Sequence, residues 1–187
     1  MKQRPYCYPG TDVLINKEDI RNKDDLERMA TARRLETLPR GLPITPKGYR
    51  EIHRYMLQDV YDWAGKYRWV DTGRGPAPFA LAQYIEPELN KRFAAIRAER
   101  GLTGLSSAAF AARAAEYLNE INAIHPFLDG NGRAPRAFLE IVAEQAGHEI
   151  DLARVDPEAW NRASILGFYK GNHEPMRQVI AGAILPP

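Results

Sequence analysis

Cysteine is almost absent from this chain of 187 residues. The single one, Cys7, has no partner for an intramolecular disulfide. A hydrophobic content of 44% is enough to build a core without disulfides, and this combination is typical of a protein in a reducing cytosol. No apolar run approaches the ~18 residues that suggest a membrane span, and the first residues, MKQRPYCYPGTD, lack the apolar stretch of a signal peptide. We therefore expect a cytoplasmic protein without a membrane partner.

The chain also has little net charge. The 26 lysines and arginines and the 24 aspartates and glutamates leave a formal net charge of +2. Because nucleic-acid binding normally needs a clustered basic surface, we expect no direct nucleic-acid partner. The common motifs of dinucleotide-binding folds, P-loop NTPases and HExxH metalloproteases are absent too. The length fits one ordinary domain, residues 1–187.

Helical periodicity dominates the rest of the chain. The pattern predicts a first helix that Asn22 caps, a second one that begins at Thr45 and Pro46 and runs to Gly65, and an alanine-rich one that Ser106 or Ser107 caps and that leads into His125. A further helix begins at Asp156 and Pro157. The apolar positions expected on the first helix are Leu26, Met29, Ala30 and Leu38, beside Arg33; those on the second are Ile52, Tyr55, Met56, Val60 and Trp63. These segments predict an all-α helical bundle.

One segment interrupts the helical pattern. Residues 66–85, KYRWVDTGRGPAPFALAQYI, alternate in polarity and are rich in glycine and proline, which disfavours a helix. The segment predicts a short, irregular β-hairpin over about residues 66–82, with its turn near DTGRG.

Residues 125–136, HPFLDGNGRAPR, concentrate chemically useful groups between two predicted helices. Gly130 and Gly132 lack a Cβ, so a ligand can approach their backbone closely, and Asn131 tolerates unusual backbone angles. The first amides of the helix that follows have no intrahelical partners. A glycine-rich turn at a helix N-terminus is typical of an anion site, most often for phosphate.

Charged side chains surround this turn. Arg133 and Arg136 share a helix face, and two cations near a helix N-terminus are unfavourable unless an anion lies between them. Asp129 is suited to holding Mg²⁺, which takes one or two carboxylates together with phosphate oxygens. His125 is the only group of the segment suited to general-base catalysis near neutral pH. The set predicts phosphoryl or nucleotidyl transfer. A histidine and an aspartate can also bind a transition metal, but no third ligand completes such a site here.

The same twelve residues resemble the signature of the Fic family, HPFx(D/E)GNGRxxR, and match it at every specified position. YPGTDVLINK near the start, WAGKYR before the hairpin and AQYI after it also resemble landmarks of Fic domains. Pro135 stands where the commonest versions of the signature have a polar residue. The resemblance covers essentially the whole chain and implies a helical core with a β-hairpin flap in front of the active-site loop.

The resemblance also implies an activity, the transfer of AMP from ATP to a Ser, Thr or Tyr hydroxyl of a target protein. By position, His125 would deprotonate the hydroxyl, Asp129 would hold Mg²⁺, and Gly130, Asn131 and Gly132 would form the anion hole. Arg133 and Arg136 would bind the phosphates of ATP. Lys66 and Arg68 can contact nucleotide or an acidic target surface, or be merely solvated. Asn172 can approach the ribose or form a turn.

Other activities remain open at this point. Doc-like kinases resemble the loop but carry lysine at the second glycine of the anion hole, where this chain has Gly132, which favours AMP transfer. Removal of AMP and transfer of another phosphate-linked group, such as phosphocholine, are compatible with the same residues. A non-catalytic binding module would be expected to lack His125 or Asp129, and neither is lost.

Regulation is indicated by a further absence. Many Fic proteins carry an inhibitory (S/T)xxxE(G/N) helix, yet glutamate is nowhere followed by glycine or asparagine in this chain. The chain therefore resembles the class whose inhibitor is a separate small antitoxin that places a glutamate against Arg136. Type II topoisomerases are frequent targets of such bacterial toxins. An effector acting in a host cytosol is the alternative.

Overall fold

Seven helices and one hairpin make up the computed structural model, which describes residues 4–32, 39 and 41–186. The helices are α1 (Lys23–Ala32), α2 (Pro46–Leu57), α3 (Ile85–Ala98), α4 (Ser107–Ile124), α5 (Arg133–Ala146), α6 (Pro157–Lys170) and α7 (Glu174–Ala183). Strands β1 (Gly73–Arg74) and β2 (Ala77–Pro78) pair antiparallel between α2 and α3. Short 3-10 turns span Ala82–Tyr84, Arg100–Leu102 and Leu152–Arg154. The predicted helical bundle with a small hairpin is confirmed.

Side-chain caps begin most of these helices where the sequence predicts. The Oδ1 atom of Asn22 accepts hydrogen bonds from the amides of Asp24 and Asp25 at the start of α1. The Thr45 hydroxyl accepts from the amide of Gly48, and Asp156 accepts from the first amides of α6. Each cap satisfies a donor that would otherwise be left open at a helix N-terminus. The predicted positions Arg33 and Leu38 lie outside the described residues.

The predicted end of the second helix was wrong. Helix α2 stops at Leu57, eight residues before Gly65, and the chain continues in consecutive turns. Tertiary hydrogen bonds stabilise these turns. The Val60 carbonyl accepts from the amide of Lys17, and the Tyr61 hydroxyl donates to Asp129. Trp63, expected to be buried, is only half-buried and stacks on the Tyr61 ring instead.

The core lies between the α4 helix and the helices that surround it. Helix α4 packs on α3, α5, α6 and α7, while α2 packs on α3 and α5. Fully buried side chains include Tyr49, Phe93, Phe110 and Ile121. The buried residues form one continuous cluster, which is compatible with the predicted single domain over 1–187. Within the described part of the chain, no helix is both long and apolar enough to cross a bilayer.

Candidate active site

The loop between α4 and α5 occupies the region where the sequence predicts the site. Helix α4 ends at Ile124, and His125 adopts a left-handed conformation with φ of 52° and ψ of 62°. Helix α5 begins at Arg133. The loop therefore presents its residues at two helix termini, the C-terminus of α4 and the N-terminus of α5.

Asn131 holds this loop together from inside. Its Oδ1 atom accepts a hydrogen bond from the Phe127 amide at 3.0 Å, and its Nδ2 atom donates to the Phe127 carbonyl at 2.8 Å. The residue is 6% exposed. Its side-chain amide is thus used by the fold, so that only its backbone amide is left for a ligand.

His53 on α2 supports the loop from below, a role that sequence reasoning missed. Its Nδ1 atom accepts from the amide of Gly65 at 2.9 Å, so the proton is on Nε2, which donates to the Asp129 carbonyl at 2.9 Å. The ring stacks on Phe127 with 3.7 Å between centroids. Burial lowers the pKa of His53 to about 4, outweighing the raising effect of Asp129, so the ring is neutral.

His125, unlike His53, is only half-buried. Its ring lies parallel to Phe79 of the hairpin, at 3.7 Å between centroids and 2° between planes. Burial lowers its pKa to about 4, with smaller lowering effects from Arg68 and Arg74, while the Asn122 backbone and Asp129 act in the opposite direction. The Nδ1 atom is buried and makes no hydrogen bond of normal geometry within the described residues. Because its pKa is lowered, the ring is uncharged at neutral pH, which is the form that a general base needs.

Asp129 is held by three neighbours. Its Oδ2 atom accepts from the Tyr61 hydroxyl at 3.1 Å and from Arg133 at 2.9 Å, and its Oδ1 atom accepts from the amide of Gly130 at 2.6 Å. Burial and the nearby carboxylate raise the pKa of Tyr61, which keeps its hydroxyl protonated as a donor. Asp129 and Arg133 both line a cavity of about 380 Å³ with residues of the N-terminal segment, Tyr6 and Lys23 among them.

No group of three or more His, Cys, Asp or Glu side chains with metal-binding geometry occurs among the described residues. Asp129 would therefore act as a single carboxylate ligand. That arrangement fits Mg²⁺, which completes its octahedron with water and phosphate oxygens, better than it fits a zinc-type site.

The two glycines of the motif differ in what the fold demands of them. Gly130 has φ of +79°, and a Cβ there would lie 2.8 Å from Leu57 and 3.0 Å from His53. Gly132 has the helical angles −91° and −34°, and a Cβ there would meet nothing within 4 Å. The fold requires glycine at position 130 but leaves open space at position 132.

Two backbone donors lie at this position of the chain. Within the described residues, the amides of Asn131 and Gly132 donate to no protein acceptor, whereas those of Arg133 and Ala134 donate to the Gly130 carbonyl. Amides at the start of a helix are suited to binding an anion.

The two motif arginines do not point to the same place. Arg133 pairs with Asp129, and its Nη1 atom is buried without a partner in the described structure. The Arg136 guanidinium lies over the Trp160 ring at 5.1 Å, and its Nη2 atom donates to the Val155 carbonyl at 3.3 Å. Its Nε atom is likewise buried with no partner among the residues described. Each side chain thus has one buried nitrogen for which the described residues provide no acceptor.

The three candidates outside the loop lie in very different surroundings. Lys66 is exposed, and Asn172 is exposed and accepts from the amide of Glu174 through Oδ1, forming the turn that begins α7. Arg68 is 2% exposed, and its guanidinium donates to four backbone carbonyls. The expectation that Arg68 contacts nucleotide or solvent therefore conflicts with its geometry, because its donors are already used by the fold.

Three residues that contact the loop were not identified from the sequence: Tyr61, Phe79 and His53. His53 lies four residues after Tyr49 and three before Met56 on α2, so helical periodicity could have shown that it faces the core. Tyr61 lies in the irregular turns after α2, and Phe79 lies in the hairpin. No periodic pattern reaches either, and only the tertiary fold brings them to the loop.

This arrangement has known counterparts. The sequence model described as the Fic/DOC family matches residues 43–143. A curated relative from Escherichia coli K12, a probable protein adenylyltransferase Fic, is 42% identical over 171 residues, covering 87% of this chain and 84% of the relative. The probable protein adenylyltransferase y4lH of Sinorhizobium fredii is 41% identical over 169 residues, covering 88% of each.

Solved structures agree with the sequence matches. The crystal structure of the BepC protein of Bartonella tribocorum, a VirB-translocated effector protein with bound AMPPNP, superposes with a TM-score of 0.87. It is 26% identical, and the match covers 97% of each chain.

Proposed function

The chain belongs to the Fic/DOC family, and we propose from this membership and from its loop that it is a protein adenylyltransferase. It moves AMP from ATP onto a hydroxyl side chain of a target protein. The bound AMPPNP of the similar effector structure supports ATP as the substrate.

One observation carries this proposal, the empty space at Gly132 beside two amides without protein partners. Nothing in the fold needs a glycine there, since its backbone is helical and a Cβ would meet no atom. A phosphate at this helix N-terminus would use both the space and the amides of Asn131 and Gly132. The amide of Gly130 is already used by Asp129, so in this proposal Gly130 contributes its backbone shape and close packing.

The chemistry assigned to the loop is a single displacement at phosphorus. His125 takes the proton of the target hydroxyl, and the hydroxyl oxygen forms a bond to the α-phosphorus of ATP. The bond from that phosphorus to the bridging oxygen breaks, and pyrophosphate leaves with the electron pair. Positioning and electrostatics supply most of the acceleration in such reactions.

Charge on the phosphates is balanced by the remaining groups. Asp129 would hold Mg²⁺, which would neutralise charge that develops on the phosphate oxygens. Arg133 and Arg136 each have a buried nitrogen that makes no hydrogen bond within the described residues, and these donors suit phosphate oxygens. Lys66 is exposed, and the Asn172 side chain is hydrogen-bonded within its own turn, so neither residue has a role in the proposed reaction.

The partners in this proposal come from the resemblance to toxins of the family. The acceptor is a protein with a Ser, Thr or Tyr hydroxyl, with a type II topoisomerase as one candidate. The restraint on activity is a separate small protein, an antitoxin, whose glutamate pairs with Arg136 and competes with the γ-phosphate for it. The reaction takes place in a bacterial cytoplasm or, for an effector, in a host cytosol.

A labelling experiment tests the transfer. The purified chain is incubated with cell lysate and either α-³²P-ATP or γ-³²P-ATP, with Mg²⁺ or with a chelator in excess. We expect protein to be labelled from the α-position only, and only with Mg²⁺. Label from the γ-position alone would identify a Doc-like kinase, and label that survives chelation would remove Asp129 and Mg²⁺ from the mechanism.

A further inference from the structure

Arg68 is the side chain through which the hairpin and the catalytic loop are joined. Its Nη1 atom donates to the Val70 carbonyl at 2.7 Å, and its Nη2 atom donates to the Ala80 carbonyl. These two residues lie at opposite ends of the hairpin. One guanidinium therefore closes the base of the flap, which we define as residues 70–80.

The same guanidinium also reaches the end of α4. Its Nη2 atom donates to the Ile124 carbonyl at 3.1 Å, and its Nε atom donates to the His125 carbonyl at 2.7 Å. The last carbonyls of a helix have no intrahelical donors, and a cation there is favoured by the helix dipole. Arg68 satisfies two of these carbonyls, one of which belongs to His125 itself.

The backbone of His125 needs such support. A left-handed conformation is unfavourable for a residue with a Cβ, and His125 is held there with φ of 52°. Its carbonyl is bound by the Arg68 side chain, and the next carbonyl, that of Pro126, accepts from the Arg68 amide at 2.8 Å. Arg68 thus fixes the peptide units on the C-terminal side of His125.

The flap reaches His125 from the other side as well. Phe79 stacks on the imidazole ring, and the amide of Ala80 donates to the Ala123 carbonyl at 3.2 Å. Any movement of the flap base would therefore pull on the ring and the backbone of His125 together, with Arg68 at the junction.

We infer that Arg68 is a positioning residue that transmits the position of the flap to His125. The inference rests on the proposed function, in which His125 is the base. A target that docks on the flap would then stabilise the orientation of the base that is to receive its proton. An arginine suits this role because its planar fork can donate in several fixed directions, which the ammonium of a lysine does not do.

Substitution at Arg68 tests the inference with readouts of two kinds. Arg68→Gln and Arg68→Lys should bind AMPPNP as the unaltered protein does, yet lower kcat for target labelling by about 10²-fold, the loss typical of a misplacement near 1 Å. Amide hydrogen exchange should rise together in residues 68–80 and 123–127. Arg68→Lys keeps the charge and most of the buried aliphatic chain, so it tests the inference if Arg68→Gln does not fold.

Arg113 in the N-terminal half of α4 offers a control. It is half-buried, whereas Arg68 is fully buried, but it too makes four side-chain hydrogen bonds, to Glu99, Glu116 and Tyr117. Arg113→Gln should loosen its own surroundings and leave exchange in residues 68–80 and 123–127 unchanged.

Three results would overturn the inference. These are full kcat in Arg68→Lys, a loss of kcat no greater than that of Arg113→Gln, or exchange that rises in the flap without rising in residues 123–127. Failure of the proposed function is a separate outcome. In that case the unaltered protein transfers no label from α-³²P-ATP, while the exchange data still report whether Arg68 couples the two segments.

Discussion

Two histidines at the loop have similar ring contacts but differ in how far they are exposed. Both stack on a phenylalanine at 3.7 Å, and burial lowers the pKa of both to about 4. His53 is fully buried and uses both nitrogens in hydrogen bonds to the backbone, whereas His125 is only half-buried. A lowered pKa alone therefore does not identify a base, because a base must also be accessible to its substrate.

The largest expected effect separates these two histidines by activity. Removing the proposed base in His125→Ala should lower target labelling by about 10²–10⁴-fold, with AMPPNP binding retained. His53→Gln should instead lower the unfolding free energy by about 1–3 kcal/mol, because it leaves the Gly65 amide or the Asp129 carbonyl without its partner. Labelling rates and thermal unfolding of both variants are the measurements. If His53→Gln is stable but as inactive as His125→Ala, then His53 takes part in the reaction and the two histidines do not differ in role.

The second prediction moves the comparison to the two glycines. Gly130→Ala meets positive φ and close contacts with His53 and Leu57, so it should lower the unfolding free energy by about 1–3 kcal/mol. Gly132→Ala is helical and unobstructed, so it should raise the unfolding free energy by about 0.4–1 kcal/mol. Its methyl group should nevertheless weaken AMPPNP binding because it enters the proposed phosphate space.

Thermal unfolding with and without AMPPNP measures both glycine effects. The stabilities and the affinities should move in opposite directions in Gly132→Ala. If that variant binds AMPPNP as tightly as the unaltered protein, the space at position 132 does not hold a phosphate.

The third prediction concerns the dependence of stability on pH, which the two histidines should share. Each histidine has a pKa of about 4 when folded and an ordinary value of 6.5. Above pH 6.5 both states are neutral and the full stability is present. As the pH falls from 6.5 towards 4, the unfolded chain binds protons that the folded chain does not. Each histidine then removes at most about 1.4 kcal/mol of stability per pH unit.

Urea unfolding between pH 7 and pH 5 measures this slope. Burial raises the pKa of Glu140, which acts in the opposite direction, so the useful quantity is the difference between each variant and the unaltered protein. His125→Ala and His53→Gln should each flatten the slope by a similar amount. A slope that neither variant changes would show that other groups control the acid response.

Sequence reasoning succeeded where local chemistry decides the outcome. Caps at Asn22, Thr45 and Asp156 begin helices because their side chains satisfy amides only two or three residues away. It failed at the end of α2, where contacts of Val60 and Tyr61 with distant residues ended the helix early. The pattern at Leu57 carried no stop signal that could have revealed this.

The motif at residues 125–136 could be recognised from the sequence alone, and it was sufficient to identify the family. The sequence also determined the helical class, because periodicity and caps act over a few residues. The packing of the helices, in contrast, places the Arg68 guanidinium on backbone carbonyls, His53 on the Asp129 carbonyl, and Phe79 on the His125 ring. These contacts join residues 46 to 76 positions apart, and hydrogen bonds and ring stacking over such separations depend on how the helices pack. No local pattern in the chain encodes them.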